Sequence, residues 1–129
     1  MRNREDIESY LIRSGAKYSE VEDDMWVVYD SGSTENIVVR MTGPLVLFRV
    51  KVLELSTIKR REELYGKLLE LNAEDMVHGA YGIANDAIVL TCAMRLENLD
   101  YNEFQGTIDD FSLALTNHYE MLASFRDAA

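Results

Sequence analysis

The chain has 129 residues, and its 23 acidic and 13 basic side chains give it a formal net charge of −10. This length fits one domain, which we place at residues 1–129. A field of this sign repels phosphate groups, so general nucleic-acid binding and docking on anionic membranes are not expected. The charge suits solubility or a basic partner, and a well-solvated surface is the simpler explanation.

The first helix is predicted over residues 4–14. Asn3 can cap it, Asp6 stands at its third position, and Gly15 is a plausible left-handed stop. The next stretch, 18–22, is polar and compatible with an extended segment, but its pattern does not establish a strand. Residues 23 and 24 predict a turn.

Three strands are predicted next, at Met25–Tyr29, 36–41 and 45–55, with a loop at 30–34. Short connections make them an antiparallel meander. The third strand alternates in two sets, and we place the first set against helices. The first set is Val46, Phe48, Val50 and Val52, and the second is Leu45, Leu47, Arg49 and Lys51.

A second helix is predicted over residues 58–72, because Leu64, Leu68 and Leu71 recur at helical spacing. Gly66 inside this helix costs about 1 kcal/mol relative to alanine. Close approach to the sheet or to another helix would explain why a glycine stands there.

The remaining elements are a hairpin and a long helix. The strands are predicted at Ala80–Ala84 and Ala87–Arg95, and Asn85 and Asp86 favour a two-residue turn between them. Asp100 caps the last helix. Its apolar stripe favours a helix that lies along its own sheet, and a helix shared with a second subunit is the alternative. The stripe comprises Phe104, Ile108, Phe111, Leu115, His118, Leu122 and Phe125.

The predicted fold is therefore α+β in the order α-β-β-β-α-β-β-α, with an antiparallel five-stranded sheet packed with helices. This order resembles the YbjN-domain family and the type III secretion chaperone fold. The residues that carry the resemblance are Leu-Leu-Glu-Leu-Asn at 68–72, Gly-Ala-Tyr-Gly-Ile-Ala at 79–84 and Ile-Val-Leu at 88–90. The resemblance implies a non-enzymatic domain that binds protein segments, often as a dimer, and it brings no catalytic residues.

The sequence offers few groups for chemistry. His78, Cys92 and His118 are not at metal-ligand spacing, so no metal and no cofactor are expected. His118 fits a partly buried, hydrogen-bonded histidine, His78 a surface loop residue, and Cys92 a buried, inert thiol in a strand. The basic residues at 59–61 fit a solvated helix start better than a docking point for an acidic segment.

We therefore expect a protein-binding module, chaperone-like or regulatory, that is not an enzyme. If helices cover one face of the sheet, apolar strand residues remain for a protein partner of unknown identity. Homodimerisation through this patch or through the second helix is expected. A small-ligand sensor with a cavity between the sheet and the last helix is the alternative, and a small enzyme is the least favoured. The candidate interface residues are Trp26, Val28, Leu45, Leu47, Leu64, Tyr65 and Leu68.

Two sequence features bear on location. The N-terminus lacks the apolar run of a signal peptide, and no apolar stretch approaches the length of a membrane span. We therefore expect a cytoplasmic protein that does not insert into a membrane.

Overall fold

The structure, a computed structural model, describes residues 1–29 and 36–126. The loop predicted at 30–34 lies outside the described residues. The helices are α1 (Arg4–Ser14), α2 (Arg61–Glu74) and α3 (Tyr101–Ala123), with a single 3-10 turn at Leu55–Thr57. The strands are β1 (Lys17–Glu22), β2 (Met25–Tyr29), β3 (Asn36–Thr42), β4 (Leu45–Glu54), β5 (Ala80–Ala84) and β6 (Ala87–Arg95).

The strands form one sheet in the order β1-β2-β3-β4-β6-β5, and all neighbours are antiparallel. Strands β1 to β4 make a meander, and the β5–β6 hairpin adds to it through β6. Asn85 and Asp86 turn this hairpin with φ angles of 51° and 59°. That is the turn chemistry the sequence predicts.

The sheet has six strands, so the predicted five-stranded count is wrong. The additional strand is β1, which pairs with β2 through Tyr18 opposite Val28 and Glu20 opposite Trp26. Its residues are mostly exposed or half-buried, because it lies at the edge of the sheet. Backbone pairing rather than an apolar face holds β1, and so hydrophobic alternation could not reveal it.

All three helices pack on one side of the sheet. Phe48 of β4 is fully buried, and its ring centroid lies 5.3 Å from that of Phe104 and 6.3 Å from that of Phe111, both on α3. Ile7 of α1 and Leu64 of α2 are fully buried in the same core. The predicted placement of Val46, Phe48 and Val50 against the helices is confirmed.

The second helix begins at Arg61 rather than at residue 58. Ile58 is extended, with φ of −113° and ψ of 124°, and its side chain is buried in the core. The guanidinium of Arg61 donates to the carbonyl oxygens of Leu55 and Ile58, at 2.9 and 3.2 Å. The end of the 3-10 turn is thereby capped before the α-helix starts, an arrangement that periodicity does not reveal.

The caps of the other helices follow the sequence. Asn3 and Asp6 form a reciprocal capping box at the start of α1, and Gly15 ends that helix with a φ of 73°. Asp100 and Glu103 form the same arrangement at the start of α3. Within the described ranges, no helix combines the length and hydropathy that a membrane span requires.

Gly79, at the entry to β5, is required by its surroundings. Its φ is +84°, and an added Cβ would lie 2.6 Å from the carbonyl oxygen of Thr91 and 2.9 Å from the ring of Phe111. We expect Gly79→Ala to lower the free energy of unfolding by about 2 kcal/mol or more, because strain and overlap add. Urea titration measures this change.

Gly82, three residues further along, is the matched control. A Cβ there would meet nothing within 4 Å, and its φ is not positive. Gly82→Ala should change the free energy of unfolding by less than about 1 kcal/mol. Equal losses in the two variants would contradict the close packing of β5 against β6 and α3.

Candidate functional site

The side of the sheet opposite the helices carries residues that the strand register places on one common face. Directly opposed residues of antiparallel strands point to the same side. One row runs through Val27, Val38, Arg49 and Thr91, and a second row includes Leu47. We call this surface the open face. Its central members are Lys17, Met25, Val27, Tyr29, Val38, Arg40, Leu45, Leu47, Arg49, Lys51, Val89, Thr91, Ala93 and Arg95.

Most apolar side chains of the open face are only partly covered, and Val89 is the buried exception. Val27, Val38, Leu45 and Leu47 are half-buried, and Tyr29 is 43% exposed. By contrast, strand residues that point to the helix side of the sheet, such as Trp26, are fully buried. A continuous, partly exposed apolar strip at the centre of a sheet is typical of a surface that another molecule covers.

Basic side chains alternate with this apolar strip. Arg40 lies opposite Leu47, Arg49 opposite Val38, and Arg95 opposite Leu45. Each of the three arginines is exposed. The open face therefore offers apolar contact and guanidinium groups side by side.

The seven residues predicted for an interface fall into two groups. Trp26, Val28, Leu64 and Leu68 are buried in the core of the single chain, at 0–5% exposure. Trp26 and Val28 belong to the helix side of β2, since Trp26 is aligned through Val39 with Phe48. The other three remain accessible.

Two of the accessible residues, Leu45 and Leu47, lie on the open face, and the third, Tyr65, is half-buried on α2. Sequence reasoning did not identify Val27, Val38 and Arg40 as their neighbours. Strand alternation starting from Trp26 would have indicated Val27, but the pairing of β2, β3 and β4 had to be known to join the three strands into one surface.

One edge of the sheet is closed by a side chain. The carboxamide of Asn72, on α2, accepts from the backbone N–H of Tyr81 at 2.7 Å and donates to the carbonyl oxygen of Tyr81 at 3.1 Å. These are the groups that an added strand would use on β5. Asn72 therefore blocks strand addition at Tyr81, the second residue of β5, and β1 forms the opposite edge.

The outward side of α2 exposes Gly66, Leu69 and Ala73. Leu69 is 68% exposed, and a Cβ at Gly66 would meet nothing within 4 Å. The close approach that would explain Gly66 is therefore not supplied by the sheet or by another helix of the described chain. We call this strip of three residues the α2 strip.

Both histidines hold the connection between α2 and β5 against α3. His118 Nδ1 lies 2.7 Å from the hydroxyl of Tyr81, and His118 Nε2 lies 3.3 Å from the carboxylate of Asp75. A neutral imidazole that accepts from Tyr81 and donates to Asp75 satisfies both contacts. His78 contacts the carboxylate of Asp110. His118 is buried and hydrogen-bonded, as its sequence position predicts.

The surroundings of Cys92 and of the basic residues at 59–61 indicate structural roles for these residues. Burial, together with the nearby charge of Asp110, raises the pKa of the Cys92 thiol, which disfavours the reactive thiolate. Arg60 stacks over Phe125 at 4.7 Å and donates to the carbonyl oxygen of Ser124. Within residues 1–29 and 36–126, no group of three His, Cys, Asp or Glu side chains is arranged to hold a metal ion.

Comparison with known proteins gives the family. The family model CesT_Tir_1 matches residues 1–128. The chain belongs to the CesT_Tir_1 family. No curated protein sequence is significantly similar to it.

Solved structures share the fold of this CesT_Tir_1 domain at low sequence identity. The YbjN protein of E. coli has a TM-score of 0.67 and 11% identity, over 93% of both chains. One chain of the ExoU–SpcU complex of the Pseudomonas aeruginosa type III secretion system matches with a TM-score of 0.67 and 16% identity. The match covers 94% of this chain and 98% of that one. The ExsC–ExsE complex has a TM-score of 0.67 and 13% identity, over the full length of both chains. The predicted resemblance and the α+β class are confirmed.

The buried phenol of Tyr81 gives the CesT_Tir_1 domain a measurable response to alkaline pH. Burial raises the pKa of Tyr81 above its usual value near 10. Because the folded-state pKa of Tyr81 is raised, its phenol contributes its full stabilisation below about pH 10. This contribution is lost above about pH 10, where the phenol ionises in the unfolded chain but not in the folded one. We expect Tyr81→Phe to be less stable than the parent at pH 8, because the bond to His118 is lost.

Above about pH 10 the stability of the parent should fall toward that of Tyr81→Phe. Urea titrations at pH 8, 10 and 11 measure this convergence. Tyr119→Phe is the control, since Tyr119 is 59% exposed. A difference between the parent and Tyr81→Phe that stays constant with pH would contradict the assignment.

Proposed function

We propose that this CesT_Tir_1 domain is a non-enzymatic protein-binding module of the chaperone type. It binds a segment of another protein on the open face, and it works as a homodimer. Family membership supports the protein-binding role. Proteins of the same fold have been solved as complexes, among them the HopA1–SchA chaperone–effector complex, with a TM-score of 0.63 and 9% identity over 97% of this chain and 93% of that chain.

The observation that carries the proposal is the one-sided covering of the sheet. All three helices lie on the side of Phe48, while Leu45 and Leu47 on the other side stay half-buried. Burying apolar surface contributes roughly 25 cal/mol per Å². A partner segment laid across β3 and β4 would gain this energy without any rearrangement of the core.

The sheet edges support an extended segment as one mode of binding. Strand addition needs an edge whose backbone groups are accessible. Asn72 occupies those groups at Tyr81 of β5, whereas β1 has its other side free of any described strand. A segment that enters along β1 would pass directly onto the open face.

The homodimer is proposed to form through α2, with Tyr65 beside the α2 strip. Leu69 is exposed and Gly66 has free space above it. Glycine in an exposed helix interior costs about 1 kcal/mol relative to alanine. Close contact with the same helix of a second copy would explain this residue, because a C2 interface brings the same patch of both subunits together.

The alternative of a ligand sensor has less support. A sensor would need a cavity between the sheet and α3, but Phe48 contacts Phe104 and Phe111 there. Thr107, which faces the sheet from the same helix, is also fully buried, and its hydroxyl bonds to the sulfur of Met94 and to the Glu103 carbonyl oxygen.

The first test concerns partner binding. Leu47→Asp places a carboxylate at the centre of the open face, and we expect it to weaken recovery of native partners at least about tenfold, because apolar contact is lost at the middle of the site. Quantitative affinity capture from the native host, followed by mass spectrometry, measures this change. Thermal unfolding of Leu47→Asp must still be cooperative.

Leu113→Asp is the matched control. Leu113 lies on α3, away from the sheet, and is 59% exposed, so the same chemical change should leave the set of partners intact. If the parent, Leu47→Asp and Leu113→Asp recover the same proteins in the same amounts, the open face does not bind partners.

The second test concerns the homodimer. Gly66→Ala should raise the free energy of unfolding of the monomer by roughly 0.5–1 kcal/mol through helix propensity. The same methyl group should weaken the dimer at least about tenfold if two α2 helices touch at this glycine. Urea titration and sedimentation equilibrium at micromolar concentration measure the two effects.

Gly106→Ala is the control, because Gly106 lies in α3 and a Cβ there also meets nothing within 4 Å. It should stabilise the fold in the same way without changing the dimer. A parent protein that sediments only as a monomer, or a Gly66→Ala dimer of unchanged strength, would exclude α2 as the interface.

A further inference from the structure

The charge of the open face is opposite in sign to that of the whole chain. The chain carries −10, yet the register places Lys17, Arg40, Arg49, Lys51 and Arg95 on the open face. The acidic side chains that the register adds to it, Glu22 and Glu54, stand at the last residues of β1 and β4. The interior of the open face is therefore basic.

Most of these cations lack an acidic partner among residues 1–29 and 36–126. Lys51 pairs with Glu54, but Lys17, Arg40, Arg49 and Arg95 form no ion pair with any described residue. Elsewhere in the chain, Arg4 pairs with Glu8 and Glu20, and Arg60 pairs with Glu63. These four unpaired cations lie beside the half-buried apolar side chains of the open face.

Two of these cations are close enough to act together. Arg40 lies opposite Leu47, and Arg49 lies opposite Val38. The two arginines are therefore diagonal neighbours on adjacent strands, and the Cα atoms of such a pair are roughly 7–8 Å apart. Like charges at this distance repel each other in the free protein. A carboxylate between them would remove the repulsion and could accept paired hydrogen bonds from either guanidinium.

We propose that the open face recognises an acidic protein segment in which carboxylates alternate with apolar side chains. The carboxylates pair with Arg40 and Arg49, and the apolar side chains pack on Leu45, Leu47 and Val38. This inference rests on the proposed function and adds the chemistry of the partner to it.

The same geometry disfavours two other occupants. A second copy bound through the same face would set cations against cations, because a C2 contact places like patches together. A nucleic acid would meet the repulsion of the whole chain and would leave Leu47 and Val38 without apolar contact. An acidic segment with apolar side chains satisfies both features of the surface.

The test selects segments without assuming a sequence. A random peptide library displayed on phage is selected against the parent protein and against the double variant Arg40→Glu/Arg49→Glu. We expect the peptides enriched on the parent to carry net negative charge and apolar residues. Synthesised and measured by fluorescence anisotropy, they should bind the double variant at least about tenfold more weakly.

The matched control is Arg13→Glu/Lys59→Glu, which makes the same change in net charge at exposed residues outside the open face and outside α2. It should bind the selected peptides within about twofold of the parent. Equal weakening in both double variants would show a general charge effect and overturn the proposal. Cooperative thermal unfolding of each variant confirms that it is folded.

The remaining outcomes of the peptide selection distinguish a failure of the acidic-segment proposal from a failure of the proposed function. Enrichment of neutral or basic peptides would overturn the acidic partner and leave segment binding intact, whereas no enrichment at all would count against both. A single-stranded oligonucleotide that binds as tightly as the peptides, with the same loss in Arg40→Glu/Arg49→Glu, would reassign the face to nucleic acid. A changed sedimentation profile of that variant would reassign it to a second copy.

Discussion

The contact of Phe48 with Phe104 and Phe111 decides which side of the sheet the helices cover. Strand side chains alternate between the two faces, so once Phe48 points to α3, Leu47 and Arg49 must point away from it. The same alternation extends across the sheet through the register of β2, β3, β4 and β6. The position of one aromatic cluster therefore determines which strand residues face the core and which form the open face.

The side of the sheet that faces away from the helices also differs in charge from the rest of the chain. A chain with a net charge of −10 still presents a basic interior on the open face, because Arg40, Arg49 and Arg95 occupy outward positions of the central strands. The acidic residues that the register adds to this face, Glu22 and Glu54, stand at strand ends. Net charge describes long-range repulsion, but local recognition depends on where the charges lie. The two properties together favour a partner that carries both apolar and acidic side chains.

The junction between α2 and β5 engages the edge of the sheet at Tyr81. Asn72 covers the edge of β5, Gly79 allows the chain to pass close to β6 and α3, and His118 joins Tyr81 to Asp75. The side chains of Asn72 and His118 are thus engaged within the chain. The open face, the edge of β1 and the α2 strip are the surfaces that we propose for other chains.

The sequence by itself determined the α+β class, three helices, five of the strands, the caps at Asn3 and Asp100 and the turn at Asn85, because each of these depends on residues within a few positions of one another. It also predicted the alternation in β4 and the family resemblance. Only the tertiary structure decided that β1 is a strand, that Trp26, Val28, Leu64 and Leu68 belong to the core, and that Leu47 lies beside Arg40. These facts depend on which strands pair and in what register, and pairing joins residues far apart in the chain, where local pattern carries no information.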